Sequence, residues 1–366
     1  MPFATRNVSL PWLSLALVGT MLVTAACSDS TSGDIAAPDR GVVGLAMPTK
    51  GSARWIGDGE NMVKQFTLLG YRTDLQYAAD DVQTQIDQID AMVERGDKAL
   101  VVGAINGSAL KDVLAKAAAA DIPVISYDRL IRDSGDVDFY ATFDNYRVGV
   151  LQGSYIVDAL GLKRGRGPFN LELFAGSADD NNATFFFNGA MSVLRPYIGR
   201  GRLVVRSGQT SFAAVATQRW DGTVARQRMA RILAASYGSA RLDAVLSPYD
   251  GISRGILEAV KAAGYRGSQL PVLTGQDAEL DSVKLIAAGQ QGQTVYKDTR
   301  ELAKVAVQMT NSLLTGGTPE VNDTKQYNNG VKTVPTFLLQ PVNVDKSNYR
   351  RVLVEGGYYT ADQLAG

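Results

Sequence analysis

Two doubly wound α/β domains, each a parallel sheet with helices on both faces, are the fold class this sequence predicts. Three observations carry that expectation. Short apolar runs alternate with segments whose apolar residues recur at helical spacing, the pattern of parallel strands joined by helical crossovers. The alternation forms two series, parted by the polar stretch 144–149. The chain has 366 residues, more than the roughly 250 of a single βα barrel. An eight-stranded barrel is the alternative that counting βα units leaves open.

In chain order, Val42 to Met47 is a strand run, followed by a helix using Met62, Val63, Phe66 and Leu69. Thr73 to Tyr77 is the next strand, then a helix with Ile86, Ile89 and Val93. Ala99 to Ile105 and Val124 to Tyr127 are strands flanking the alanine-rich helix from about Leu110 to Ala120. The second series opens after Phe143-Asp144-Asn145 with a helix carrying Val148, Leu151 and Tyr155, then the strand Phe169 to Phe174. Helices near Asn182 to Leu194 and Asp221 to Ala235 alternate with strands Leu203 to Arg206 and Ala244 to Leu246. Val272 to Thr274 and Thr294 to Tyr296 are further strands, and a helix with Leu302, Val305, Val307 and Met309 follows Glu301.

Composition excludes several chemistries. With 37 basic and 37 acidic residues the charge is balanced, which gives no basic surface for nucleic acid. There is no histidine and only one cysteine, so histidine-dependent triads, HExxH metal sites, internal disulfides and thiolate zinc clusters are all absent. No metal or cofactor is expected, and ligand binding is expected to resist chelators and to vary little between about pH 6 and 8.

Residues 1–26 read as a signal peptide: Arg6 in a polar flank, an apolar stretch from Leu10 to Val23, then Thr24-Ala25-Ala26 before Cys27. Small residues ahead of the only cysteine fit lipid modification at Cys27, with an ordinary secretory signal or a membrane anchor as the simpler readings. Residues 27–40 are small, polar and broken by Pro38, a tether. No later stretch reaches the roughly 18 continuous apolar residues of a second span.

Ligands of open α/β sheets gather beyond the carboxyl ends of the strands. Those positions here hold Thr49 to Trp55, Tyr127-Asp128-Arg129, Gly176 to Asn182, Ser247 to Gly251, Gly275-Gln276-Asp277 and Lys297-Asp298. Amides, carboxylates, cations and aromatic rings suit a sugar, whose hydroxyls donate to carboxylates and accept from Arg, Lys or Asn. Tryptophan can cover the C–H face of a pyranose. Each residue also has a plainer reading: Trp55 and Trp220 as core, Asp144 as a helix cap, Asp128–Arg129 as a surface turn, 179–182 as a capping turn. That last run lacks the EF-hand pattern, and the glycines of 161–167 have neither dinucleotide nor P-loop spacing. The carboxylates leave a glycosidase pair conceivable, with no spacing that fixes one.

Taken together, Gly51-Ser52-Ala53-Arg54-Trp55, Ser126-Tyr127-Asp128-Arg129-Leu130 and Gly176-Ser177-Ala178-Asp179-Asp180-Asn181-Asn182-Ala183 closely resemble the periplasmic aldose-binding proteins of ABC importers. So do Gln218-Arg219-Trp220-Asp221-Gly222, Gly275-Gln276-Asp277-Ala278 and Val295-Tyr296-Lys297-Asp298, in the branch of the multiple-sugar-binding receptors and the xylose-binding proteins. The ordered set runs from about Gly44 to Leu364. The resemblance implies a type I periplasmic-binding-protein fold, α/β, with two doubly wound parallel-sheet lobes and three interdomain crossings. These are expected near Phe143–Asp144, Tyr296–Lys297 and Asn329–Thr333. The first lobe would hold 41–144 and 297–330, the second 145–296 and 331–366.

By the same resemblance, sugar would meet Arg54, Trp55, Asp128 and Arg129 from the first lobe. Asn181, Asn182, Arg219, Trp220, Asp250, Gln276 and Asp277 would reach it from the second, with Lys297 at the crossing back. The family implies no catalysis and no cofactor: an extracytoplasmic protein binds a monosaccharide such as xylose, glucose, galactose or arabinose and presents it to ABC permease subunits. A sugar sensor or chemoreceptor partner is the related alternative, and a carbohydrate hydrolase or isomerase using cleft carboxylates is the enzymatic one. The membrane is expected to enter only through the lipid on Cys27.

Overall fold

The computed structural model describes residues 39–365. The signal segment, Cys27 and most of the tether lie outside the described residues. No helix among the described residues is long and apolar enough to cross a membrane.

The first lobe contains β1 (Val42–Met47), α1 (Ala53–Leu68), β2 (Arg72–Tyr77), α2 (Val82–Glu94), β3 (Ala99–Val102), α3 (Lys111–Ala119), β4 (Val124–Tyr127) and β5 (Phe139–Phe143). The second lobe begins with α4 (Asn145–Ala159), β6 (Phe169–Leu173), α5 (Asn181–Gly199), β7 (Leu203–Val204) and α6 (Phe212–Val215). It continues with α7 (Gly222–Ser236), β8 (Ala244–Leu246), α8 (Asp250–Ala262), β9 (Val272–Leu273), α9 (Leu280–Ala287) and β10 (Gln293–Tyr296). The last elements are α10 (Thr299–Leu314), β11 (Thr336–Leu339), β12 (Val342–Asp345) and α11 (Ala361–Ala365).

The first sheet is parallel throughout, in the order β11-β5-β4-β3-β1-β2. Every residue of β3 and β4 is buried, because helices cover both faces. Met62 and Phe66 of α1 pack with Leu302, Ala303 and Ala306 of α10 on one face. Ile89 and Met92 of α2 and Val113, Leu114 and Ala117 of α3 fill the other.

The second sheet runs β7-β6-β8-β9 in parallel. A parallel bridge from Gln276 to Val295 carries it on to β10, against which β12 lies antiparallel. Ile156, Phe187, Met191 and Leu194 of α4 and α5 cover one face, and Met229, Ile232, Ile252 and Ile256 of α7 and α8 the other. The α4–α5 crossing depends on glycine: a Cβ at Gly149 would stand 1.9 Å from the Phe186 carbonyl oxygen. This close approach fixes the start of α5, whose side chains enter the cleft.

Asp144 lies at the first crossing and caps α4, accepting from the Arg147 amide at 2.9 Å. The chain returns through Lys297–Asp298 to α10. The third crossing corrects the expectation. It falls at Gln340–Pro341, between β11 in the first sheet and β12 in the second, so residues 331–339 belong to the first lobe. The reason is edge pairing: β11 supplies the parallel partner of β5, with Thr336 opposite Tyr140 and Leu339 opposite Phe143. Asn329, expected at the crossing, is buried in the first lobe, where its Nδ2 donates to the Ser134 carbonyl at 2.8 Å.

Candidate functional site

Between the lobes lies a cavity of about 730 Å³, within the range of small-molecule sites. Ten of the twelve expected ligand residues line it: Arg54, Trp55, Asp128, Arg129, Asn182, Arg219, Trp220, Gln276, Asp277 and Lys297. Helix starts carry Arg54, Trp55 and Asn182 and turns carry most of the others, and the backbone of those turns is unusual. Asp128 (φ 58°), Arg219 (53°), Trp220 (58°), Asp277 (86°) and Ala278 (48°) all occupy the left-handed region, which side chains other than glycine adopt at a cost. The fold holds these turns by over-determining them. The Asp128 carbonyl accepts from Tyr140 Oη at 2.5 Å, Asn182 Nδ2 at 2.7 Å and Thr142 Oγ1 at 2.9 Å.

At the centre four charged groups meet from both lobes. Arg54 Nη1 lies 2.9 Å from Asp128 Oδ2 and 3.7 Å from Asp277 Oδ1. Lys297 Nζ lies 3.1 Å from Asp277 Oδ1 and 3.7 Å from Asp128 Oδ2. At the cavity wall each carboxylate thus meets two cations, the pairing that charges shielded from water require. Burial pushes the Asp128 carboxyl up, but Arg54, Lys297 and Arg129 outweigh it and bring it down to about 2. It is therefore an ionised acceptor at any physiological pH. Gln276 Oε1 and Asp277 Oδ1 are buried and make no hydrogen bond among the described residues.

The aromatic residues frame this cluster. Trp55 is 4% exposed, with the guanidinium carbons of Arg54 and Arg129 at 4.6 and 5.2 Å from its ring centroid. Trp220 packs edge-to-face with Phe186 at 6.2 Å and Tyr249 at 6.1 Å. Gly176 makes room for it, since a Cβ there would stand 2.0 Å from the indole. At the rims the lobes join directly: Arg129 Nε reaches Asp180 Oδ2 at 3.0 Å, and Ser52 Oγ donates to Glu279 Oε1 at 3.1 Å. Tyr249 Oη donates to the same Glu279 oxygen at 2.6 Å.

Two expected ligands stand elsewhere. Asp250 is fully buried in the wall at the start of α8, and both carboxylate oxygens are taken. Oδ1 accepts from Gln291 Nε2 at 2.8 Å, and Oδ2 from the Glu279 amide at 2.9 Å and Thr294 Oγ1 at 3.1 Å. Burial, with Glu279 adding to it, raises its pKa well above the ordinary value. Asn181 is half-buried outside the lining; Asp180, the extended residue that caps α5, and Asn182 line the cavity instead. Asn182 is engaged within the protein, donating to Asp128 and accepting from Asn145 Nδ2 at 2.9 Å.

Sequence reasoning missed Asp58, Asp180, Tyr249, Arg254 and Glu279. Arg254 Nη1 pairs with Glu279 Oε2 at 2.6 Å and so anchors the carboxylate that accepts from Ser52. Asp180 and Tyr249 lay within the strand-end runs 176–182 and 247–251, and Asp58 had a signal too, since it stands four residues after Arg54 on α1 and therefore on the same helix face.

Residues 43–318 match the family model described as periplasmic binding protein domain. The chain is 62% identical over 330 residues to the multiple sugar-binding periplasmic receptor ChvE of Rhizobium radiobacter, covering 90% of this chain and 93% of that protein. It is 35% identical to the D-xylose-binding periplasmic protein of Escherichia coli K12, covering 88% of this chain and 92% of that one. Among solved structures, an ABC transporter solute-binding protein from Clostridium phytofermentans with bound β-D-glucose superimposes with a TM-score of 0.86 at 49% identity. That match covers 88% of this chain and 99% of the other.

Proposed function

This chain belongs to the type I periplasmic sugar-binding proteins, in the branch of the multiple-sugar-binding and D-xylose-binding members, and we propose that it captures an aldopyranose of the glucose or xylose type between its lobes and hands it to an ABC import permease. Solute-binding proteins of this fold are not enzymes; the sugar leaves chemically unchanged.

The observation that carries this reading is the central cluster, in which Asp128 and Asp277 face Arg54 and Lys297 beside Trp55 and Trp220. Neighbouring hydroxyls of an aldose require acceptors and donors side by side, and charge-assisted hydrogen bonds to such groups are the strong ones. The rings supply apolar surface for the C–H face. The two rim contacts, Arg129–Asp180 and Ser52–Glu279, form only when the lobes approach. A sugar that bridges both lobes therefore favours the closed arrangement and the surface a permease would read. Tethering by a lipid on Cys27 would keep the protein at the outer face of the membrane.

Calorimetry with D-xylose, D-glucose, D-galactose, L-arabinose, D-ribose and D-fructose tests the reading. Tightest binding to a pyranose aldose, with compaction of the protein in solution scattering, is the expected result. Binding to none of the six, or conversion of the sugar on prolonged incubation, would reject it.

A further inference from the structure

Asp58 is fully buried, does not line the cavity, and lies one helical turn beyond Arg54 on α1. We propose that Asp58 is a positioning residue of the sugar site, and that its charge, gained or lost as one proton exchanged with solvent, sets how Arg54 is presented to the sugar. The inference rests on the sugar-binding reading above.

The geometry is a one-sided grip. Arg54 Nε donates to Asp58 Oδ2 at 3.0 Å, and Nη2 lies 2.9 Å from the same oxygen. The other carboxylate oxygen, Oδ1, accepts from Tyr127 Oη. A guanidinium is a rigid planar fork, so fixing the Nε–Nη2 edge determines where the remaining nitrogen points. That nitrogen, Nη1, faces Asp128 and Asp277 at the cavity. Tyr127 also precedes Asp128 at the end of β4, so one residue supports both the grip and its target.

The charged and titratable groups facing Asp58 come from several elements. Arg54 lies on its own helix, Tyr127 and Asp128 at the end of β4, Tyr77 on β2 and Tyr358 on the carboxyl-terminal segment. Asp277 of the second lobe acts on it through Arg54. Burial drives the Asp58 carboxyl up against the pull of Arg54 and Tyr127, to about 6. When Asp58 takes up a proton, Arg54 loses a charged partner and is left to Asp128 and Asp277 alone. Those carboxylates, more fully engaged by Arg54, accept sugar hydroxyls less well, so acidification weakens binding.

The test is calorimetry on the full chain with D-glucose and D-xylose across about pH 5 to 8. Parental affinity should fall about tenfold or more toward the acid end, the scale of one charge-assisted contact. Asp58→Asn should weaken binding near neutrality by about tenfold and flatten the pH profile. Tyr127→Phe removes the donor that favours ionised Asp58, so its midpoint should move to higher pH, a displacement that a merely structural role would not produce. An Asp58→Asn protein with parental affinity and profile overturns the inference, as does an unmoved midpoint in Tyr127→Phe. The second variant decides alone if the first does not fold. A parent that binds neither sugar at any pH overturns the functional reading, and the inference with it.

Discussion

Lys297 Nζ stands 3.1 Å from Asp277 Oδ1, and both residues are at least nine-tenths buried while lining the interlobe cavity. The pair is thus an ion pair and part of the cavity wall at once. Asp277→Asn keeps the shape but removes a charged acceptor, so sugar affinity should drop by about 2 kcal/mol. The ligand-free melting temperature should change much less, because Lys297 retains Asp128 at 3.7 Å. Lys297→Met should impair both binding and stability, since it removes a cation from Asp128 and Asp277 and leaves them to share Arg54 with Asp58. Calorimetry with parallel ligand-free melts separates the effects; a large melting loss at parental affinity in both variants would return the pair to the scaffold.

Trp220→Ala should weaken sugar binding by about 2 kcal/mol or more while circular dichroism stays native. Gly176→Ala is a subtler probe of the same ring, since the added methyl would stand 2.0 Å from the indole and must displace it. Lost affinity in both variants, measured by calorimetry, identifies the ring as a sugar platform; parental affinity in both would make it core.

Asp250 should behave in the opposite way to Asp277. Asp250→Ala leaves Gln291 Nε2, Thr294 Oγ1 and the Glu279 amide without their common acceptor. Unsatisfied buried groups cost about 1–3 kcal/mol each, so the ligand-free melt should fall sharply. A variant that melts like the parent but binds sugar poorly would restore Asp250 to the ligand set.

Stability should depend on pH through two carboxylates of opposite sign. Asp128 sits near 2 in the folded chain, below the unfolded value of about 3.9. Its contribution is present above about pH 4 and is lost as pH falls toward 2. Asp58 sits near 6, above its unfolded value, so the folded state holds the extra proton between about pH 4 and 6 and stability drains as pH rises through that window. Asp58→Asn, which has no such proton to lose, should therefore gain on the parent from about pH 4 to 7 in denaturant titrations. A constant difference across that range would remove Asp58 from the account. If Asp58 acts as proposed, the level binding profile expected from the absence of histidine should bend at its acid edge, because burial moves this carboxyl into the range where histidine ordinarily titrates.

Cys27→Ser should release the protein from membranes while leaving sugar affinity unchanged, because the cysteine precedes a polar tether and the chain has no second cysteine to pair with it. Membrane fractionation with lipid labelling checks this; unchanged retention in the variant and no lipid on the parent would reject lipidation.

The motifs at the strand ends were legible because a parallel α/β sheet delivers its loops to one edge, so local sequence already places Arg54, Asp128 and Asp277 on the ligand side, whereas Trp220 came only through the family resemblance. Three strands were not legible. β5 (Phe139–Phe143), β11 (Thr336–Leu339) and β12 (Val342–Asp345) are short, and the pairings β11–β5 and β12–β10 join strands distant in sequence. The third crossing was misplaced for that reason: nothing local in Thr336–Leu339 says that β5 lacks a neighbour.

The sequence by itself determined the alternating βα order, the charge types at the strand ends and the exclusion of histidine and disulfide chemistry, since these follow from residue identity and spacing alone. Only the tertiary structure decided which polar residues face sugar and which hold the wall. Asp250 and Asp277 occupy equivalent places after strands, yet one has both oxygens consumed by Gln291, Thr294 and the Glu279 amide while the other lines the cavity. That choice depends on the partners brought to each carboxylate, from its own lobe for Asp250 and from across the cleft for Asp277, as the charge state depends on burial for Asp58 and on the neighbouring cations for Asp128. Distances between residues far apart in the chain set both.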